Sequence, residues 1–172
     1  MTKKPLVLFL GNPILSDDKI GLAVGDMLRK RLESAGYEVE ILEKSGFSLI
    51  DHLEDREEAV IVDSVKTGRY EVGRVISLSL ADFEQYAPFT SHYAGIPDAL
   101  ELMKQLDLNP PRHLRILGIE VEDPYTVSEN MSEKLTKRLS QLAEEAFSII
   151  LSPRKVARSV TERRTRPSPE AA

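Results

Sequence analysis

Two adjacent carboxylates, Asp17 and Asp18, stand in the stretch "GNPILSDDKIG" at residues 11–21, a third acid, Asp63, ends the run "AVIVD" at residues 59–63, and His92 lies in "FTSHYAGIPDAL". The chain contains no cysteine. Thiolate zinc sites, iron–sulfur clusters, disulfide scaffolds and cysteine nucleophiles are therefore excluded, and any chemistry must come from oxygen and nitrogen. Two carboxylates with one imidazole suit a divalent first-row ion, and nickel, zinc, manganese and iron are all admissible. A nucleotide is the weaker reading of the same loop. A phosphate-binding turn offers bare backbone amides rather than acids, and the Gly-rich and Gly-Lys-Ser/Thr patterns are missing.

Each of these residues also has a purely structural reading. An Asp before a helix is an ordinary N-cap, which accounts for one of Asp17 and Asp18 (with Ser16 a further cap candidate) but not for both. Asp63 could open a turn in "DSVKTG", and a lone histidine is more often structural than a ligand. His52, on an amphipathic helix, and His113, at the start of a strand, are assigned that structural role. The site reading gains its weight from where the elements place Asp18, Asp63 and His92 relative to one another.

Strand and helix patterns alternate along the chain. The segments 5–10, 38–42, 59–63, 73–80 and 113–121 are short, rich in Val, Ile and Leu, and bounded by Gly, Pro or charge, which predicts five strands. Ile20, Val24, Met27, Leu28 and Leu32 fall on one helical face, with Gly21 and Gly25 four apart to allow close approach to a sheet. Leu49, Ile50 and Leu53 predict a short second helix, and Ile96, Leu100 and Met103 a third starting near Pro97. Leu135, Leu139, Leu142, Ala146 and Ile150 predict a long last helix capped by Asn130 or Ser132. The fold class is α/β: one three-layer domain with a twisted, mostly parallel five-stranded sheet between helices. In such sheets the functional crevice lies beyond the carboxyl ends of the strands, where the loops carrying Asp18, Asp63 and His92 can all open.

Composition sets the background. A chain of 172 residues, 41% of them hydrophobic, is long enough for one core without a metal to hold it. Residues 153–172 hold six Lys and Arg against Glu162 and Glu170, so this segment carries +4 and the first 152 residues carry −9 of the total −5. The reading is a domain at 1–152 and a basic, solvated, unstructured tail at 153–172. An acidic body argues against nucleic acid as the main partner. The apolar run at residues 6–10 is too short for a membrane span or a signal peptide, and a cytoplasmic protein is expected.

The segments "LVLFLGNPILSDDKIGLAVGDML", "AVIVDSV", "SHYAGIPDAL" and "LRILGIEVED", in that order and spacing, resemble the hydrogenase maturation endopeptidases over roughly residues 5–150. The resemblance implies a peptidase that removes the C-terminal extension of a NiFe hydrogenase large-subunit precursor after nickel insertion. The metal contacts carried over are Asp18, Asp63 and His92, with Asp18 and Asp63 also the catalytic carboxylates. The partner implied is the nickel-loaded precursor, and the nickel is carried by that substrate. A non-catalytic, metal-sensing chaperone on the same fold is the alternative.

Two departures bear on the site. Lys19 stands where members commonly carry Gly or Ala, and its charge weakens metal binding unless the side chain turns away. "EKSGFS", with Glu43 its only acid, replaces the Asp-Gly-Gly-Thr-like turn often found after strand two. With no serine triad or thiol nucleophile, attack by water is the implied chemistry. Within the acidic pair, Asp17 is expected to support the loop and helix start, so that an Asn in its place costs on the order of 1 kcal/mol or less, while Asp18 faces the cleft.

Overall fold

The computed structural model describes residues 3–43, 46–82 and 95–152. His92 and the basic tail lie outside them. Five strands, β1 (Leu6–Leu10), β2 (Glu38–Leu42), β3 (Glu58–Val65), β4 (Val75–Leu78) and β5 (His113–Glu120), form one sheet in the order β2-β1-β3-β5-β4. All neighbours run parallel except β4, which pairs antiparallel with β5 at the edge. The helices are α1 (Ile20–Ser34), the short α2 (Ile50–Leu53), α3 (Gly95–Gln105) and α4 (Glu133–Leu151).

Alternation along the strands divides the core into two layers. Val7 and Phe9 of β1, Val60 and Val62 of β3, and Leu117 and Ile119 of β5 pack with Val24 and Leu28 of α1 and Leu142 and Ala146 of α4. Leu6, Leu8, Ala59, Ile61 and Ile116 face the opposite way and pack with Leu53, Ile96, Leu100 and Met103. At roughly 1.5–3 kcal/mol per buried aliphatic side chain, these two layers supply most of the drive to fold. The central strands are apolar on both faces, which is why they read as continuous hydrophobic runs.

Gly21 matters for the site. A Cβ there would fall 1.9 Å from the Leu10 carbonyl oxygen, so only glycine lets α1 sit directly on the end of β1. Its neighbour four residues on, Gly25, gives the same clearance against Phe9 and Ile41. The expected close approach is therefore present, and it holds the loop 11–19 over the carboxyl end of the sheet.

Several expectations are corrected. Met27 is 45% exposed rather than core, because the stripe of Ile20, Val24, Leu28 and Leu32 already fills the face against the sheet. Strand β3 runs two residues past Asp63, which pairs with Gly118 inside the ladder instead of closing the strand. The strand expected at 73–80 is shorter, because the turn at Glu71–Arg74 and the start of a helical turn at Leu80 enclose it.

Candidate functional site

The loop after β1 enters α1 through a turn of 3-10 helix, Asp17–Lys19. Asp17 is 0% exposed and Asp18 2% exposed. Neither caps α1 in the expected way: the N-cap position is Lys19, without a side-chain cap bond. Asp17 reaches across the loop instead. Its Oδ2 accepts from the backbone N–H of Glu122 (3.1 Å) and Asp123 (2.9 Å), and its Oδ1 from that of Ser132 (2.6 Å), the residue that opens α4. Burying a carboxylate forfeits several kcal/mol of hydration. Three charge-assisted bonds at about 1.5–3 kcal/mol each offset that loss. The side-chain cap expected from Asn130 or Ser132 is not formed; Asp17 instead holds the backbone N–H of Ser132 at the N-cap position.

The loops 12–16 and 125–128 meet along an antiparallel bridge at Leu15 and Val127, with the Ser16 N–H donating to Thr126 O (2.8 Å) and the Ser128 N–H to Ile14 O (3.1 Å). Lys19 belongs to the same seam. Its ammonium donates to the carbonyls of Ser128 (2.7 Å) and Glu129 (2.9 Å), so its charge is directed at loop carbonyls. Asp123 closes the seam: the Thr126 hydroxyl, with the N–H groups of Thr126 and Tyr125, holds its carboxyl below the usual range.

Asp18 and Asp63 meet the same strand end. Asp63 shares the parity of Ala59 and Ile61, and Ser64 that of Val60 and Val62, so the two side chains leave β3 on opposite faces. The Ser64 hydroxyl donates to Asp18 Oδ1 at 2.6 Å, and the Ser64 N–H donates to Asp63 Oδ1 at 2.7 Å. Both acids are 2% exposed. The third expected ligand, His92, falls outside the described residues, and among those residues no three His, Asp or Glu side chains gather as a metal site. As donors, the described pair matches the oxygen part of a mixed oxygen and nitrogen set for a first-row ion.

Glu120 was not singled out in the sequence. It is buried at the end of β5, where Oε1 accepts from the N–H of Thr67 (2.9 Å) and Gly68 (2.8 Å) and Oε2 from the Thr67 hydroxyl (2.7 Å). It braces the turn after β3, next to the site rather than in it. The available signal was its position as an acid closing an apolar strand, the same signal that drew attention to Asp63. Beside Lys19, a cavity of about 430 Å³ is lined by Pro13, Leu22, Ala23, Asp26, Ile41 and Glu43, so Glu43 faces an open cleft next to the acidic loop.

The hydrogenase maturation protease family matches residues 23–149. The chain is 28% identical over 158 residues to the hydrogenase 2 maturation protease of Escherichia coli strain K12, covering 84% of this chain and 94% of that one. The fold is that of the hydrogenase maturating endopeptidase HybD from E. coli, with a TM-score of 0.67 at 21% identity over 86% of this chain and 92% of that one. It is also that of the [NiFe] hydrogenase maturation protease HybD from Thermococcus kodakarensis, with a TM-score of 0.64 at 22% identity over 86% and 99%. A match across residues 23–149 spans most of the domain, and the chain accordingly belongs to the hydrogenase maturation protease family and is a peptidase.

Proposed function

We propose that this peptidase removes the C-terminal extension of a hydrogenase large-subunit precursor once nickel has been inserted, and that Asp18, Asp63 and His92 are the groups that read the nickel. The observation that carries the reading is the pair of buried carboxylates at the carboxyl end of β3, both bonded to Ser64. Burial deprives a carboxylate of hydration, and a divalent cation is a partner that can replace it. Nickel enters as part of the substrate, and its recognition places the scissile peptide over the acids.

Ser64 is an unsuitable nucleophile, because it is buried and its hydroxyl proton is already directed at Asp18. Water is therefore the attacking group in this proposal, and the chain's part is to orient it and accept its proton at a carboxylate. A cytoplasmic setting belongs to the same proposal; no described helix is long and apolar enough to cross a membrane.

Incubating the protein with nickel-loaded and nickel-free precursor and reading the products by mass spectrometry tests the proposal. Shortening of the loaded form alone is expected. Cleavage of both forms equally would remove nickel from the mechanism. Tight binding to the loaded form without cleavage would replace the processing role with that of a metal-sensing chaperone.

A further inference from the structure

Ser64 is the residue that joins the two acids. It offers its backbone N–H to Asp63 Oδ1 and its hydroxyl to Asp18 Oδ1, at 2.7 and 2.6 Å, and like both acids it is only 2% exposed. We infer that Ser64 is a positioning residue, which sets the rotation of the Asp18 carboxylate at the carboxyl end of β3 and thereby its hold on a metal ion. This rests on the assignment of Asp18 and Asp63 to the site.

The two acids differ in how firmly their backbones are held. Asp63 lies inside β3, an interior strand hydrogen-bonded to β1 on one side and β5 on the other. Asp18 lies on a single 3-10 turn. The terminal torsion of an Asp side chain has a broad minimum, so a carboxylate on a turn is rotationally loose until something grips it. Ser64 supplies that grip from the stiffest part of the sheet. It also lies on the sheet face opposite to Asp63, so that one strand end presents its own acid on one side and holds the loop's acid on the other. A hydroxyl suits the task because it is short, can only reach an acceptor close by, and donates toward an anion. Groups that orient a metal ligand in this way commonly change metal affinity or activity by about 10- to 100-fold when removed.

A merely structural bond would tie the loop to the sheet and show itself in stability alone. The test therefore compares wild type, Ser64→Ala and Ser64→Thr in thermal unfolding, in calorimetric titration with Ni²⁺ and Zn²⁺, and in kcat and KM on nickel-loaded precursor. The expected result for Ser64→Ala is an intact fold, metal binding weakened by about 10-fold or more, and kcat/KM on nickel-loaded precursor reduced in similar proportion. Ser64→Thr, which keeps the hydroxyl on a side chain suited to a strand, recovers both. Should the alanine variant fail to fold, Ser64→Cys replaces it, since it fills the same space with a much weaker donor. A folded Ser64→Ala protein with wild-type kcat/KM overturns the inference, whatever its melting temperature. Asp18→Asn separates the two failures. If it keeps metal binding and turnover, the site assignment is wrong. If it loses both while Ser64→Ala keeps both, only the positioning role fails.

Discussion

The two ends of the sheet are built from opposite charges. At the amino end of the strands, Arg56 is buried and donates to the carbonyls of Lys4 and His52 (both 3.1 Å) while gripping Glu38 through both terminal nitrogens at 2.6 and 2.8 Å. Near it Arg115 donates to Ile149 O (3.1 Å) and Ile150 O (2.7 Å) in the last turn of α4, and to Glu58 (3.1 Å). At the carboxyl end the buried charged groups are Asp17, Asp18, Asp63 and Glu120. Helix dipoles account for the pattern: in a parallel α/β unit the helices end at the amino edge of the sheet, where orphan carbonyls attract cations, and begin at the carboxyl edge, where N–H groups attract anions.

The ends differ in what their charges accomplish. The arginines meet carbonyls and carboxylates and close local accounts of charge. Asp17 and Glu120 likewise meet N–H groups, whereas Asp18 and Asp63, both bonded to Ser64, are the acids assigned to the proposed site. Stability is accordingly expected to depend on the locally paired groups at either end, Arg56 and Asp17 among them, and function on Asp18 and Asp63.

The largest effect should come from Asp18→Asn, which is expected to lower precursor cleavage by at least about 100-fold while leaving the melting temperature at or slightly above that of wild type. A parallel fall in melting temperature would make Asp18 a structural acid like its neighbour.

Asp17→Asn should behave in the reverse manner. Both carboxylate oxygens of Asp17 accept backbone N–H bonds, and an amide can offer only one acceptor, so a loss of about 2–3 kcal/mol in chemical denaturation is expected. This replaces the smaller cost that follows from treating Asp17 as a simple cap. If Asp17→Asn proves as stable as wild type, the seam between the two loops does not depend on this acid.

At the other end, Arg56→Met should cost about 1–3 kcal/mol, less than a fully buried pair because Glu38 is partly solvated, and should leave kcat unchanged. The same pair sets a pH signature. Arg56 holds the Glu38 carboxyl below its ordinary value, so its stabilisation is present above the unfolded-state glutamate pKa, about 4.3, and is lost as pH falls through the folded value. Arg56 itself stays charged throughout. Acid titration of Glu38→Gln should therefore show a shallower loss of stability below about pH 4.3 than wild type. An identical slope would mean the pair contributes nothing.

The smallest effect belongs to Lys19→Ala. With the ammonium bound to loop carbonyls, its removal should cost about 1 kcal/mol or less and leave the affinity for Ni²⁺ unchanged. A clear rise in affinity would show that its charge is felt at the acids.

The α/β class, the five strands, the helices between them, the close approach at Gly21 and Gly25 and the family resemblance were all legible in the chain, because period, β-branched content and glycine spacing are local properties. The same holds for the prominence of Asp18 and Asp63. What the chain could not announce were relations between distant segments. Asp17 binds residues more than a hundred positions away, and Lys19 turns to Ser128 and Glu129. Ser64 meets Asp18 only because β1 and β3 are neighbours in the sheet. A hydrogen bond is decided by a few ångströms and an angle, and strand order sets those distances. Sequence therefore determined which residues were equipped for chemistry, and the tertiary structure decided that one acid of the adjacent pair is a brace and that the other is held by a serine of β3.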